Sequence, residues 1–165
     1  MRANTKVKTL EAMASMAELA RGRGQKVALC HGCFDILHVG HIWHFMAVKD
    51  LADLLLVTIT ADKYISKGAG RPVFVQEQRA FVIAALSCVD AVAVSEFPTG
   101  VMAIETICPD LYVKGAGYLR DYASGGDLSL IAEADAVARH GGRIEFTATP
   151  EFHSTDLIPY LKECV

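Results

Sequence analysis

The sequence predicts one α/β domain: a doubly wound, five-stranded parallel sheet with helices on both faces, a Rossmann-like arrangement. Three observations carry that expectation. Short aliphatic runs alternate with helical patterns along most of the chain, which is how βαβ units read. The runs are apolar throughout rather than alternating, as strands covered on both faces are. The length of 165 residues suits a single core, and 52% hydrophobic against 21% charged residues is too apolar for disorder.

Residues 1–25 are set apart as an N-terminal helical extension, and residues 26–165 form the domain proper. In the extension, Leu10, Met13, Met16 and Leu19 recur at helical spacing, and Gly22 or Gly24 ends the pattern. Lys26–Cys30 is the first strand, followed by a helix from about Val39 to Asp50. Asp53–Thr60 is long and apolar enough to be a central strand. A helix near Gln76–Ser87, a strand over Val89–Val94, a helix over Thr99–Ile107 and a short strand over Leu111–Val113 come next.

A glycine-rich loop, KGAGYLRDYASGGD, leads into a helix over Leu128–His140, which Gly141-Gly142 stops where a left-handed C-cap is expected. Arg143–Thr147 is the fifth strand and Ser154–Lys162 a last helix. No repeat, low-complexity tract or linker divides this succession. In such sheets ligands bind beyond the carboxyl ends of the strands, where the strand order reverses.

Composition also excludes classes of function. A net charge of −3 leaves no footprint for bulk nucleic-acid binding, so any phosphate site must be local. No apolar run is long enough to cross a bilayer, and the first residues lack the apolar core of a signal peptide. Five cysteines, an odd number, argue against a disulfide framework. The expected location is cytoplasmic, with no membrane and no nucleic-acid partner.

The densest chemistry lies in residues 30–44, CHGCFDILHVGHIWH, with two cysteines and four of the six histidines. Cys30 and Cys33 form a Cys-x-x-Cys pair, but a reactive pair needs its first sulfur at a helix start, and Cys30 ends a strand. Cys30, Cys33, His38 and His41 are a tempting metal set, yet no second ligand cluster accompanies them, and no metal ligand is assigned. A phosphate site accounts for more of the residues. Gly32 allows a tight turn after the strand, and Gly40 allows close approach at the helix start. The helix N-terminus offers free amides, and His38 and His41 add two donors on one side. Cys30, Cys33 and His44 are then packing residues as far as thiol, metal or acid–base chemistry goes.

The run Gly32-Cys33-Phe34-Asp35-Ile36-Leu37-His38-Val39-Gly40-His41 resembles the G-x-F-D-x-x-H-x-G-H signature of the cytidylyltransferase-like nucleotidyltransferases. Lys67-Gly68-x-Gly70-Arg71-Pro72-Val73 with Gln78-Arg79, Cys88-Val89-Asp90, Pro109-Asp110-x-x-Val113-Lys114-Gly115 and Ser154-Thr155 follow in the order of that family's heptose-phosphate adenylyltransferases. The resemblance covers most of residues 26–160. It implies the same sheet and a reaction in which a sugar or polyol phosphate attacks the α-phosphorus of an NTP, ATP or alternatively CTP, releasing pyrophosphate.

By that resemblance His38, His41 and Lys67 are catalytic, binding and neutralising phosphate oxygens. Gly32, Cys33, Phe34, Gly40, Lys114, Gly115, Ser154 and Thr155 contact the nucleotide, and Asp35, Arg71 and Arg79 are placed towards the substrate. Mg²⁺ is the implied counter-ion, held by phosphates and water, and a homodimer is the implied state. A non-catalytic nucleotide-binding regulatory module is the alternative of another class. Three features depart from the pattern: Gly117 where heptose enzymes carry an acidic residue, no basic residue in Pro150–His153, and the loop Leu119–Asp127.

Overall fold

The strand order explains where a ligand can bind. In the computed structural model, which describes residues 5–68 and 70–148, five strands run in the order β3-β2-β1-β4-β5. They are β1 (Val27–Gly32), β2 (Leu54–Thr60), β3 (Ala91–Ser95), β4 (Leu111–Gly115) and β5 (Arg143–Thr147). Every pairing is parallel, with Cys30 opposite Val57 and Leu29 opposite Tyr112. The chain winds outward from β1 to β3, returns to the other side of β1 and continues to β4 and β5. The reversal therefore falls between β1 and β4.

Successive residues of β1 point into different cores. Ala28 and Cys30 pack with Val57, Ile59, Phe45 and Val48 on one face. Val27 and Leu29 pack with Leu56, Ala93, Ile104 and Val137 on the other. This double burial is why the strands lack alternation. Helices α2 (Val39–Lys49) and α3 (Gln76–Ala84) cover the first face. Helices α1 (Leu10–Arg21), α4 (Val101–Ile107) and α6 (Leu128–Arg139) cover the second. No helix among the described residues is long and apolar enough to cross a membrane.

The segment set apart as an extension is built into this core. Met13 and Ala17 are fully buried with Leu29, Ala91 and Ile104, and burying a side chain the size of Met13 is worth roughly 1.5–3 kcal/mol. Val7 bridges Val92, Lys8 N–H donates to the Val92 carbonyl, and Val92 N–H donates to that of Lys6. Residues 6–8 thus pair along β3, and α1 covers one sheet face. Thr9 caps α1 by accepting from Ala12 N–H.

Two boundaries differ in an instructive way. Within the stretch read as a glycine-rich loop, Tyr118–Ser124 forms a short helix, α5, closed by Gly125. Its seven residues contain neither glycine nor proline, so the glycines mark the helix ends rather than a continuous loop. At the end of α6, Gly141 takes φ +78° as expected, and Gly142 N–H returns to the Val137 carbonyl. The last expected helix, with Ser154 and Thr155, lies outside the described residues.

Candidate active site

The site begins where β1 ends. His31 is buried, its Nδ1 2.9 Å from Thr58 Oγ1 and its Nε2 3.3 Å from Thr60 Oγ1, which ties β1 to β2 at their carboxyl ends. The turn that follows is made at Phe34, whose φ is +46°, and not at Gly32, which is still strand. Gly32 serves another purpose. A Cβ there would lie 3.0 Å from the Phe34 ring, so glycine leaves room for the ring. That ring in turn stands edge-on to His41, 5.2 Å between centroids.

His38 is the N-cap of α2 and His41 its third residue. The His-x-x-His spacing therefore does what Ser-x-x-Glu does in a capping box. His38 backbone N–H donates to His41 Nδ1 at 3.3 Å, which leaves the hydrogen of a neutral His41 on Nε2. The two rings stack 3.8 Å apart at 30°. Gly40, buried, lies between them. Lys67 is exposed, and its charge acts on both His41 and Cys33. A pair of imidazoles at a helix N-terminus, with an ammonium nearby, is a set of donors arranged for an anion.

Three residues expected towards the substrate are engaged within the protein. Asp35, 3% exposed, accepts from Arg71 Nε, from Val73 N–H at 2.7 Å and from Phe74 N–H at 3.2 Å. Arg71 has its other end, Nη2, buried with no hydrogen-bond partner among the described residues. Arg79 is 2% exposed. It donates to the carbonyls of Cys33, Thr60 (2.8 Å) and Phe74 (3.0 Å) and to Asp62 Oδ1 (2.6 Å). It thus braces the β1–α2 turn, the end of β2 and the loop before α3. A substrate-facing role for Arg79 is not what this geometry provides, because its donors point inward.

Lys114 lies at the end of β4, across the switch point from Gly32. It is buried, pairs with Glu133 at 2.9 Å and lies 5.1 Å from the ring centres of both Tyr112 and Tyr118. Glu133 Oε1 also accepts from Gly100 N–H at 2.7 Å. Burial alone would push the Glu133 carboxyl up, but the Lys114 charge and these hydrogen bonds outweigh it and hold it down. Sequence reasoning missed Glu133. The available signal was a single glutamate on the apolar face shared with Leu130, Ala134 and Val137. Beside Lys114, a Cβ on Gly115 would meet no atom of the described residues within 4 Å.

Scanned against family models, residues 29–158 match the cytidylyltransferase-like model. The chain belongs to the cytidylyltransferase-like family. Among curated proteins it is 36% identical over 154 residues to the bifunctional protein HldE of Syntrophotalea carbinolica and to that of Geobacter sulfurreducens, covering 92% of this chain and 30% of each relative. The HldE of Helicobacter pylori is 40% identical over 107 residues, 64% of this chain and 23% of that protein. The chain therefore spans under a third of the length of these relatives. Among solved structures, a lipopolysaccharide core biosynthesis protein from Thermoplasma volcanium superimposes with a TM-score of 0.60 at 23% identity, over 79% of this chain and all of the other. That likeness is one of fold.

Three histidines of this cytidylyltransferase-like site, His31, His41 and His44, are held neutral. Burial, together with the neighbouring His38, lowers His41 to about 3. Burial and the Lys114 charge lower His31 and His44 to about 4. His44, read as packing, is also bonded: its Nδ1 is 2.9 Å from Thr147 Oγ1 and its Nε2 3.4 Å from Cys30 Sγ. Burial raises the Cys30 thiol, so this sulfur carries no thiolate chemistry.

An acid limit on stability follows. His31 and His44 have folded values below the unfolded 6.5, so the unfolded chain binds more protons as the pH falls. Their stabilisation is complete above about pH 6.5 and is lost towards pH 4. Together they remove up to about 3 kcal/mol per pH unit in that window. Urea titrations should show a sharp drop in unfolding free energy from pH 7 to pH 5. Equal stabilities at the two values would refute burial of neutral imidazoles.

A second expectation concerns Gly32. Gly32→Ala forces the Phe34 ring to give way and disturbs the edge of His41. Turnover should fall by at least about tenfold, as misplacement near 1 Å does, with a melting temperature shifted by only a few degrees. Unchanged turnover would show that the Phe34 contact does not position His41.

Proposed function

We propose that this chain transfers a nucleoside monophosphate from an NTP, in the first instance ATP, to a sugar phosphate such as a heptose 1-phosphate, releasing pyrophosphate. The observation that carries this reading is the stacked His38/His41 pair, on a helix N-terminus at the switch point of the sheet. The resemblance of Lys67–Val73 and Pro109–Gly115 to heptose-phosphate adenylyltransferases, and the likeness to HldE, support the sugar-phosphate acceptor.

A phosphate oxygen of the acceptor attacks the α-phosphorus, and the bond to the bridging oxygen of pyrophosphate breaks. The attacking phosphate is already ionised, so the site needs no general base. It needs alignment and donors where charge builds up. His41 Nε2–H and His38 meet the triphosphate oxygens, and Lys67 neutralises the leaving group or the incoming phosphate. Ser154 and Thr155 are assigned to the triphosphate by the motif. The Lys114–Glu133 pair fixes the β4 side of the crevice, where Gly115 leaves room for the nucleotide.

Mg²⁺ fits this site as a companion of the triphosphate. The described residues hold no group of three or more His, Cys, Asp or Glu side chains that could bind a metal, and Asp35 is closed by Arg71 and two amides. When bound, the ion supplies further charge neutralisation on the phosphates. A homodimer is the proposed working state, to be checked by mass in solution.

The decisive experiment incubates the protein with Mg²⁺, each NTP in turn and a panel of sugar and polyol phosphates, following pyrophosphate and the nucleotide conjugate. Conjugate from ATP and an aldose 1-phosphate is expected. Product from CTP and glycerol 3-phosphate instead would make the chain a polyol-phosphate cytidylyltransferase. Nucleotide binding with no pyrophosphate from any pair would leave a regulatory module.

A further inference from the structure

The end of the sheet away from the nucleotide crevice carries a second, unrelated cluster. Cys108 is the C-cap of helix α4 and His140 that of helix α6, just before β4 and β5 begin. Cys108 Sγ is 3.4 Å from His140 Nδ1, and His140 Nε2 is 2.5 Å from Glu105 Oε2. Nucleophile, base and orienting carboxylate thus form one chain of contacts, the arrangement by which a thiol is activated. Cys108 adopts φ +51°, unusual for a residue with a side chain, and its Sγ–H also lies within reach to donate to the Glu105 carbonyl at 3.3 Å.

We propose that Cys108 is a peroxide-reactive thiol, activated by His140 and Glu105. The short contact to Glu105 makes Nε2 the hydrogen-bearing nitrogen of neutral His140, so Nδ1 is free to take the Sγ proton. The resulting imidazolium is stabilised by Glu105 and lies at the C-terminus of α6, where the helix dipole favours a cation. The other charged groups facing the cluster are Arg139, which donates to Glu105 Oε1, and Arg21, whose Nη1 donates to the carbonyls of Ile107 and Cys108 at 3.2 and 2.8 Å. Arg21 offsets the negative end of α4 beside the sulfur.

The step balances with a hydroperoxide as oxidant. The thiolate attacks the outer oxygen, the S–O bond forms and the O–O bond breaks. The departing hydroxide takes the proton back from His140 Nδ1, leaving cysteine sulfenic acid and, from hydrogen peroxide, water. The cluster is partly exposed, with Glu105 and His140 side chains at 31% and 30%, so a small peroxide can reach it.

The test treats the full chain with hydrogen peroxide and dimedone and identifies the labelled cysteine by peptide mass. In parallel, the Cys108 alkylation rate with iodoacetamide is followed against pH. At pH 7, Cys108 should alkylate about tenfold faster than N-acetylcysteine, since a free thiol is only a few per cent ionised there. Dimedone label should appear at Cys108. His140→Asn and Glu105→Gln should each lower both readouts at least about fivefold while leaving the circular dichroism unchanged, in keeping with loss of the base or its orienter. Reaction no faster than N-acetylcysteine, label only at another cysteine, or rates untouched by both substitutions would overturn the assignment. Nucleotidyl transfer is not needed for any of these readouts.

Discussion

His41→Ala should lower kcat by two to three orders of magnitude, about 3–4 kcal/mol of transition-state stabilisation, the usual cost of losing one oxyanion donor. The side chain is placed for that role twice over. The His38 amide fixes its Nδ1 as an acceptor, and Phe34 and His38 hold the ring on two sides. Because burial and His38 keep it neutral down to about 3, kcat/KM should show no inflection from His41 near pH 6.5. His41→Gln keeps both an acceptor for the His38 amide and an amide donor, and should recover part of the loss. Pyrophosphate release measures all three. Near-wild-type turnover in His41→Ala would remove His41 from the proposed chemistry.

Arg79→Lys should be nearly as damaging to activity, and more damaging to the fold. Arg79 is buried and serves four acceptors, on Cys33, Thr60, Asp62 and Phe74. A lysine keeps the charge but not the planar fork, so it can meet only some of these acceptors. Leaving buried carbonyls unpaired costs about 1–3 kcal/mol each. Chemical denaturation should show a loss of at least about 2 kcal/mol on that basis, with turnover reduced because Cys33 and Phe74 flank the histidine turn. A variant as stable and as active as the parent would show that the brace is dispensable.

The local part of this site is legible in the sequence. The His38-x-Gly40-His41 spacing at an expected helix start placed two donors on one end of α2, because local sequence alone sets a helix N-terminus. What was not legible is which charged residues face inward. Arg71, Arg79 and Asp35 read equally well as substrate contacts, since a motif records identity and not direction. Lys114 read as a nucleotide contact, and its pairing to Glu133, nineteen positions on, depends on how α6 packs against β4. Gly32 was read as a turn glycine, whereas the Phe34 ring is what requires it.

The sequence by itself determined the five strands and the main helices between them, because burial on both faces and helix periodicity are local properties of the chain. It also places His38 and His41 at the start of α2 and Cys30 within a buried strand. Tertiary structure alone decided that α1 belongs to the core, that Asp35 and Arg79 hold the crevice from within, and that Cys108, Glu105 and His140 meet at the far end of the sheet. Those decisions rest on contacts between residues tens of positions apart, and they are fixed only when the helices close over the sheet.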